Sequence, residues 1–205
     1  MTDTTLSGDF SADREYHSSF TRNDRFSVIL VMMLMTAAIG FGLLLKQQNS
    51  ARTIRYESRT AGIAAQYPAG WLLDERGNYV ARMRDPRSRP FKTTFTISAV
   101  PAGGQTTTRN ILDGLTIQRS ADLAAYRVLS IEDFTRGSTK YTQLSFAYVD
   151  ADPNPFIQRL PVVILGIDVV IPNGSRSIIV TYMADQASFE KERPVFDQFF
   201  ASIRY

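Results

Sequence analysis

Few residues of this 205-residue chain are equipped for bond-making chemistry. It contains no cysteine and a single histidine, His17. Thiolate nucleophiles and Cys/His zinc sites are thereby excluded. With the only imidazole in a polar N-terminal stretch, a folded C-terminal domain has no histidine for a triad or a general base. Asp150, Asp152 and Asn154 alternate as calcium ligands do, but no glycine follows at the sixth position and no glutamate at the twelfth, so a proline-containing loop is the better reading. A carboxylate enzyme built on Asp150 and Asp168 would need both acids to face one cleft. No phosphate-cradling glycine loop, dinucleotide fingerprint or nucleophile elbow occurs. Neither a metal nor a cofactor is expected.

What remains is cationic. Arg82, Arg84, Arg87, Arg89 and Lys92 form the densest basic stretch, and Arg82 and Arg84, two apart, share one face if they lie on a strand. Three fates are open to such a patch: contact with anionic headgroups, worth about 1 kcal/mol per residue, docking on an acidic protein subunit, or plain solvation. Nucleic acid is not expected, because no aromatic residues interleave the cations as a stacking platform. Trp71, the only tryptophan, reads as a core anchor behind the Pro68-Ala69-Gly70 turn.

The charge is unevenly spread. Residues 1–25 carry a net −2, residues 46–92 a net +6 and residues 93–205 a net −1, within a total of +3. The basic excess therefore belongs to one part of the chain.

The same unevenness holds for hydropathy. Phe26–Leu45 (FSVILVMMLMTAAIGFGLLL) has no charge and only Ser27 and Thr36 as polar side chains. As a helix, 20 such residues span about 30 Å, the thickness of a bilayer core. The run lacks the polar stripe of a buried helix. It is also too long, and too far from the N-terminus, for a cleaved signal peptide. It is expected to be an uncleaved transmembrane helix. Arg22 and Arg25 press against its N-terminal end while Lys46 alone does so at the other. A cytoplasmic N-terminus and a C-terminal domain across the inner (plasma) membrane follow. Ala38 and Gly42, four apart, offer a small-residue face for close helix packing.

Around the span, residues 1–25 are polar and expected to be disordered, residues 46–60 form a polar stalk, and residues 61–205 suffice for one compact domain. In that domain Gly62–Tyr67, Tyr79–Arg84, Phe91–Val100, Tyr126–Asp133, Thr139–Asp150, Val162–Ile171 and Arg176–Met183 read as strands. Asn173-Gly174 marks a tight hairpin. Thr108–Ala125, capped by Thr107 or Thr108, reads as a helix. A second helix runs from a cap at Asp185 or Ser188 to about Ser202, with Pro194 as a kink or a new start. Grouped strands with few helices argue an α+β antiparallel sheet rather than alternating βαβ units.

Two phrases carry a resemblance. One is YPAGW at Tyr67–Trp71 followed by a strand that runs into Asp85-Pro86. The other is the closing hairpin SRSIIVTYMA with a helix ending Phe196-Asp197-Gln198-Phe199-Phe200-Ala201-Ser202-Ile203. In these, residues 60–205 resemble the PsbP-like and Mog1-like domains, in the form of a membrane-anchored bacterial member. The resemblance implies an α/β/α sandwich around an antiparallel sheet and a non-catalytic binding or accessory role. It transfers no site residue by residue. The expectation is a non-enzymatic single-pass membrane protein, an accessory or assembly subunit of a larger membrane complex. By the resemblance alone, that complex would be photosynthetic or electron-transporting. Arg82, Arg84, Arg87, Arg89, Lys92, Ala38 and Gly42 would meet its partners, the bilayer and the other subunits. The alternative is a tethered module for a lipid or small apolar ligand.

Overall fold

The computed structural model describes residues 22–50, 52–103, 107–137, 139–151 and 160–205. His17, Asp152 and Asn154, and the tail expected to be disordered up to residue 21, lie outside the described residues. The chain divides into two units, Met1–Asn49 and Ser50–Tyr205.

In the first unit, helix α1 (Arg22–Ser50) contains the whole uncharged run. Its side chains are described from Phe26 to Gly42, and every one is exposed. The hydroxyl of Thr36 donates to the Met32 carbonyl at 2.8 Å, so the helix satisfies its own polar side chain. Among the described residues no helix is long and apolar enough to cross a membrane.

The second unit is built on a seven-stranded, fully antiparallel sheet. Its strands are β3 (Leu72–Asp74), β4 (Ala81–Arg84), β5 (Thr94–Pro101), β6 (Arg127–Arg136), β7 (Thr139–Asp150), β8 (Val162–Asn173) and β9 (Arg176–Asp185), in the order β3-β4-β5-β9-β8-β7-β6. A separate hairpin pairs β1 (Thr53–Ser58) with β2 (Ile63–Pro68). Helices α2 (Thr108–Asp122) and α3 (Phe189–Ser202) complete the set.

Strand alternation sorts the side chains to two faces. On one, Met83, Phe95, Ile97, Ile167, Val169, Val180 and Tyr182 are buried with Phe196, Phe199 and Phe200 of α3 and with Tyr56, Ile63 and Tyr67 of the hairpin. On the other, Leu144, Phe146, Tyr148, Ile164, Val170 and Ile179 are buried with Leu112 of α2. The result is the expected α/β/α sandwich, with a hairpin added to one outer layer.

Three expectations are corrected. The segment 46–60 is not a stalk throughout. Thr53–Ser58 is a strand, because Ile54 and Tyr56 alternate with polar neighbours and Tyr56 turns inward, 5% exposed, its hydroxyl donating to the Val80 carbonyl at 3.0 Å. Leu72–Asp74, not among the expected strands, pairs with β4. The first helix ends at Asp122 rather than Ala125, since Leu123 already turns to an extended backbone (φ −113°, ψ 130°) and Ala125 follows with a positive φ of 53°. The second helix does run to Ser202, unbroken through Pro194. Asp185 and Ser188 divide the work of starting it: Ser188 sits at the cap position without a side-chain bond, and the Asp185 carboxylate accepts from the N–H groups of Ala187 and Ser188, both at 3.1 Å.

Candidate functional site

The basic stretch sits where β4 leaves the sheet. Arg82 and Arg84 alternate with the buried Ala81 and Met83, so both project from the α2-side face, as their spacing requires. The register carries two rows across that face. One runs Arg84, Thr94, Met183, Gly166, Phe146, and the other Arg82, Thr96, Thr181, Asp168, Leu144.

Beyond Arg84 the pleat stops. The buried Asp85 accepts from the Arg87 backbone N–H at 2.9 Å, an Asx-turn, and its own N–H donates to the Thr93 carbonyl at 2.9 Å, closing the loop. This turn separates cations that look contiguous in sequence. Arg89, which donates to the Pro86 and Ser88 carbonyls at 2.9 Å each, and Lys92 fold back toward Arg82 and Arg84. Arg87 does not. Its guanidinium is 77% exposed and lies 3.4 Å from Asp85.

Four cations thus line a cleft of about 420 Å³, whose apolar wall is Pro90, Phe91 and Met183 and whose one carboxylate among the described residues is Asp150. Arg82 stacks over the Tyr79 ring at 4.1 Å. Tyr79 is held in turn by its hydroxyl, which donates to Asp74 at 2.6 Å. That bond, then the Arg76 N–H, holds the Asp74 carboxyl below the usual carboxylate range, with Arg84 and Arg82 as lesser causes. Asp74 lies 3.9 Å from Arg84, a long, exposed pairing of the kind that contributes about 0–1 kcal/mol. The Nε of Arg82, the Nε of Arg84 and the Thr96 hydroxyl are buried without a hydrogen-bond partner. The two arginines are therefore held in place yet not satisfied by the protein.

The second candidate chemistry fails on geometry. Asp168 is fully buried and bound bidentately by Arg119 of α2, whose Nη2 lies 2.9 Å from Oδ1, while the Thr181 hydroxyl donates to the same oxygen at 2.7 Å. Burial opposes the Arg119 charge, and Asp168 beside it more than compensates, raising the guanidinium above its ordinary value. The Arg119 guanidinium also lies 4.3 Å over Phe146. Phe146 in turn fills the space that a Cβ on Gly166 would need. Asp168 is a structural acid that pins α2 to the sheet. Asp150 projects from the same face at the far end of β7, six residues beyond Leu144, Asp168's partner in register, or about 20 Å at strand rise. The two acids do not share a cleft.

Trp71 is a core residue, 7% exposed, with its ring 4.5 Å from Phe95. Ala38 and Gly42 are exposed on α1, and a Cβ at Gly42 would meet nothing within 4 Å. Among the described residues no group of acidic or histidine side chains could hold a metal ion. The sequence reading missed Phe91 and Met183 as the apolar wall and Tyr79 and Asp74 as supports. Met183 comes from a strand some ninety residues away and only the register brings it in, whereas the Asp74/Tyr79 pair was within reach of a local reading.

No family model matches the chain, and no curated protein does. Solved structures do. Cyanobacterial PsbP (CyanoP) from Synechocystis sp. PCC 6803 is 16% identical, with a TM-score of 0.56 over 75% of this chain and 92% of that one. The Ran-binding protein Mog1p of Saccharomyces cerevisiae is 8% identical, with a TM-score of 0.51 over 75% of this chain and 95% of that one. At such identities the likeness is one of fold, and the fold is PsbP/Mog1-like.

Proposed function

We infer that this chain is a non-enzymatic, single-pass membrane protein that serves as an accessory or assembly subunit of a larger membrane complex. The observation that carries this reading is the basic cleft: Arg82, Arg84, Arg89 and Lys92 gathered with one described carboxylate, Asp150, and positioned by Tyr79, Asp74 and the Asp85 turn. Among the described residues the cleft offers charge and shape, with Asp150 as its one carboxylate and neither a histidine nor a pair of acids. A site so equipped recognises and does not transform. The Ran-binding protein among the structures of this fold shows that the scaffold supports protein recognition. A photosynthetic or electron-transport complex is the sharper form of the reading, suggested by the likeness to cyanobacterial PsbP.

Helix α1 supports a tether. An uncharged 20-residue run, helical throughout, with its described side chains exposed all round, suits lipid better than water. In this reading the N-terminus is cytoplasmic, the folded domain lies beyond the inner membrane, and the small face at Ala38 and Gly42 meets a neighbouring helix. The exposed Arg87 and the rim residues Arg89 and Lys92 meet an acidic surface of a partner subunit.

The alternative, a lipid or apolar-ligand carrier, asks for a chamber between sheet and helix. There Phe199 stacks on Phe95 at 4.8 Å and Phe196 on Tyr182 at 5.0 Å, which gives that reading no support.

The test is purification of the full chain from its own membranes in mild detergent, with native mass measurement. A defined complex that is lost on Arg87→Glu together with Lys92→Glu is expected. A monomer with no associated subunit contradicts the proposal.

A further inference from the structure

A protein surface can lie across the rim of the cleft, but the concavity itself asks for something smaller. Its volume of about 420 Å³ falls within the range of small-ligand pockets. Among the described residues, Arg82, Arg84, Arg89 and Lys92 line it with Asp150 as the one carboxylate, a surplus of positive charge larger than one ligand carboxylate would balance. Two neighbouring arginines on one strand face line the cleft, and the planar guanidinium suits bidentate binding of an oxyanion; each also keeps a buried Nε–H with no acceptor among the described residues. A phosphate group supplies three acceptor oxygens and nearly two charges. Phe91 and Met183 provide an apolar wall beside the cations, so the rest of the ligand has surface to bury.

We propose that the cleft binds a phosphate-bearing ligand, with the phosphate held between Arg82 and Arg84, Lys92 and Arg89 closing the rim, and the apolar remainder of the ligand against Phe91 and Met183. Tyr79 and Asp74 act as positioning residues: the ring holds Arg82 by stacking, and the carboxylate holds the ring. Lipid headgroups and soluble phosphate compounds share this chemistry. The inference rests on the reading that the Arg82–Lys92 stretch is a recognition surface, and it assigns the inner part of that surface to a second occupant.

The test is calorimetric titration of the full chain, purified in mild detergent, with two probes: inorganic pyrophosphate and dioctanoyl phosphatidic acid. Saturable binding of at least one probe is expected, weakened more than tenfold by R82Q/R84Q and by K92Q alone, the latter a rim change that leaves the fold untouched. The tighter probe identifies the source, soluble compound or headgroup. Absence of saturable binding by either probe, or binding undiminished in both variants, overturns the proposal. If pyrophosphate and phosphatidic acid fail to bind while the Arg87→Glu/Lys92→Glu chain still loses its complex, the docking reading stands and this inference falls.

Discussion

The two faces of the seven-stranded sheet are made from the same strands and serve different ends. Toward α3, residues such as Phe95, Ile97, Val180 and Tyr182 are buried, and the rings of Phe95 and Tyr182 join Trp71, Phe196 and Phe199 in one cluster of stacked, tilted and edge-on contacts. Toward α2, the register places Arg82, Arg84, Thr94, Thr96, Thr181 and Asp168 among the apolar residues. A face of the first kind obtains its free energy from area removed from water, roughly 25 cal/mol per Å². The second buries its own apolar cluster around Leu112, Leu144 and Phe146, but it also carries polar groups that must be satisfied by specific partners. At Asp168 that has been done, with Arg119 and Thr181. At Arg82 and Arg84 it has not. The difference teaches where to look for function: at the part of the α2-side face around Arg82 and Arg84, where buried polar groups have no partner among the described residues.

The comparison breaks most readily at Phe95. Its ring is fully buried among four others. Phe95→Ala should destabilise the domain by about 3–5 kcal/mol in chemical denaturation. A loss below about 1 kcal/mol would mean that the ring stack is not what holds the two layers together.

Arg119→Ala comes next. It leaves the Asp168 carboxylate buried and unpaired, which costs about 3 kcal/mol. Because the cost comes from the orphaned charge, Arg119→Met combined with Asp168→Leu should recover most of it. A double variant as unstable as the single one would show that α2 is held by the ion pair's geometry and not by relief of an isolated acid.

Arg84→Gln sharpens the contrast. On the open face, with only a long contact to Asp74, it should change stability by no more than about 0.5 kcal/mol. A loss comparable with that of Arg119→Ala would place Arg84 among the structural residues and remove the distinction between satisfied and unsatisfied arginines.

The smallest effect concerns Asp74. Its lowered folded-state pKa means that it contributes stability above the ordinary carboxylate range and loses it as pH falls through the lowered value. Tyr79→Phe removes the largest cause. The Asp74 carboxyl should then titrate closer to its ordinary value in NMR, and the acid-side loss of stability that it causes should be smaller and end at higher pH. An unmoved titration would show that Tyr79 does not hold Asp74, and so does not steady Arg82 through it.

Much of this architecture is legible in the chain itself. The alternation in β5 and β7, the nearly continuous apolar run of β8 and the Asn173-Gly174 turn leading into β9 mark most of the central sheet, and the helical spacing of Phe189, Phe196, Phe199 and Phe200 marks α3. What escapes has physical reasons. In β1, one inward tyrosine among exposed polar residues gives too little apolar signal, and its pairing with β2 supplies the rest. In β3, three residues are too few for a pattern. Asp168 looks anomalous in an apolar strand because its partner stands 49 residues earlier, on a helix. The basic stretch is visible as composition but not as geometry. Only the Asx-turn at Asp85 separates Arg87 from the four cations of the cleft, and only strand pairing brings Met183 beside them.

The central claim is that the cleft side of the domain is where partners bind. The most direct measurement is site-specific photo-crosslinking of the full chain in its own membranes, with the photoreactive residue placed in turn at Lys92, on the cleft rim, and at Gln198, on the exposed side of α3. A discrete adduct from position 92, and none from position 198, is predicted. Adducts of equal yield from both positions, or from 198 alone, would contradict it.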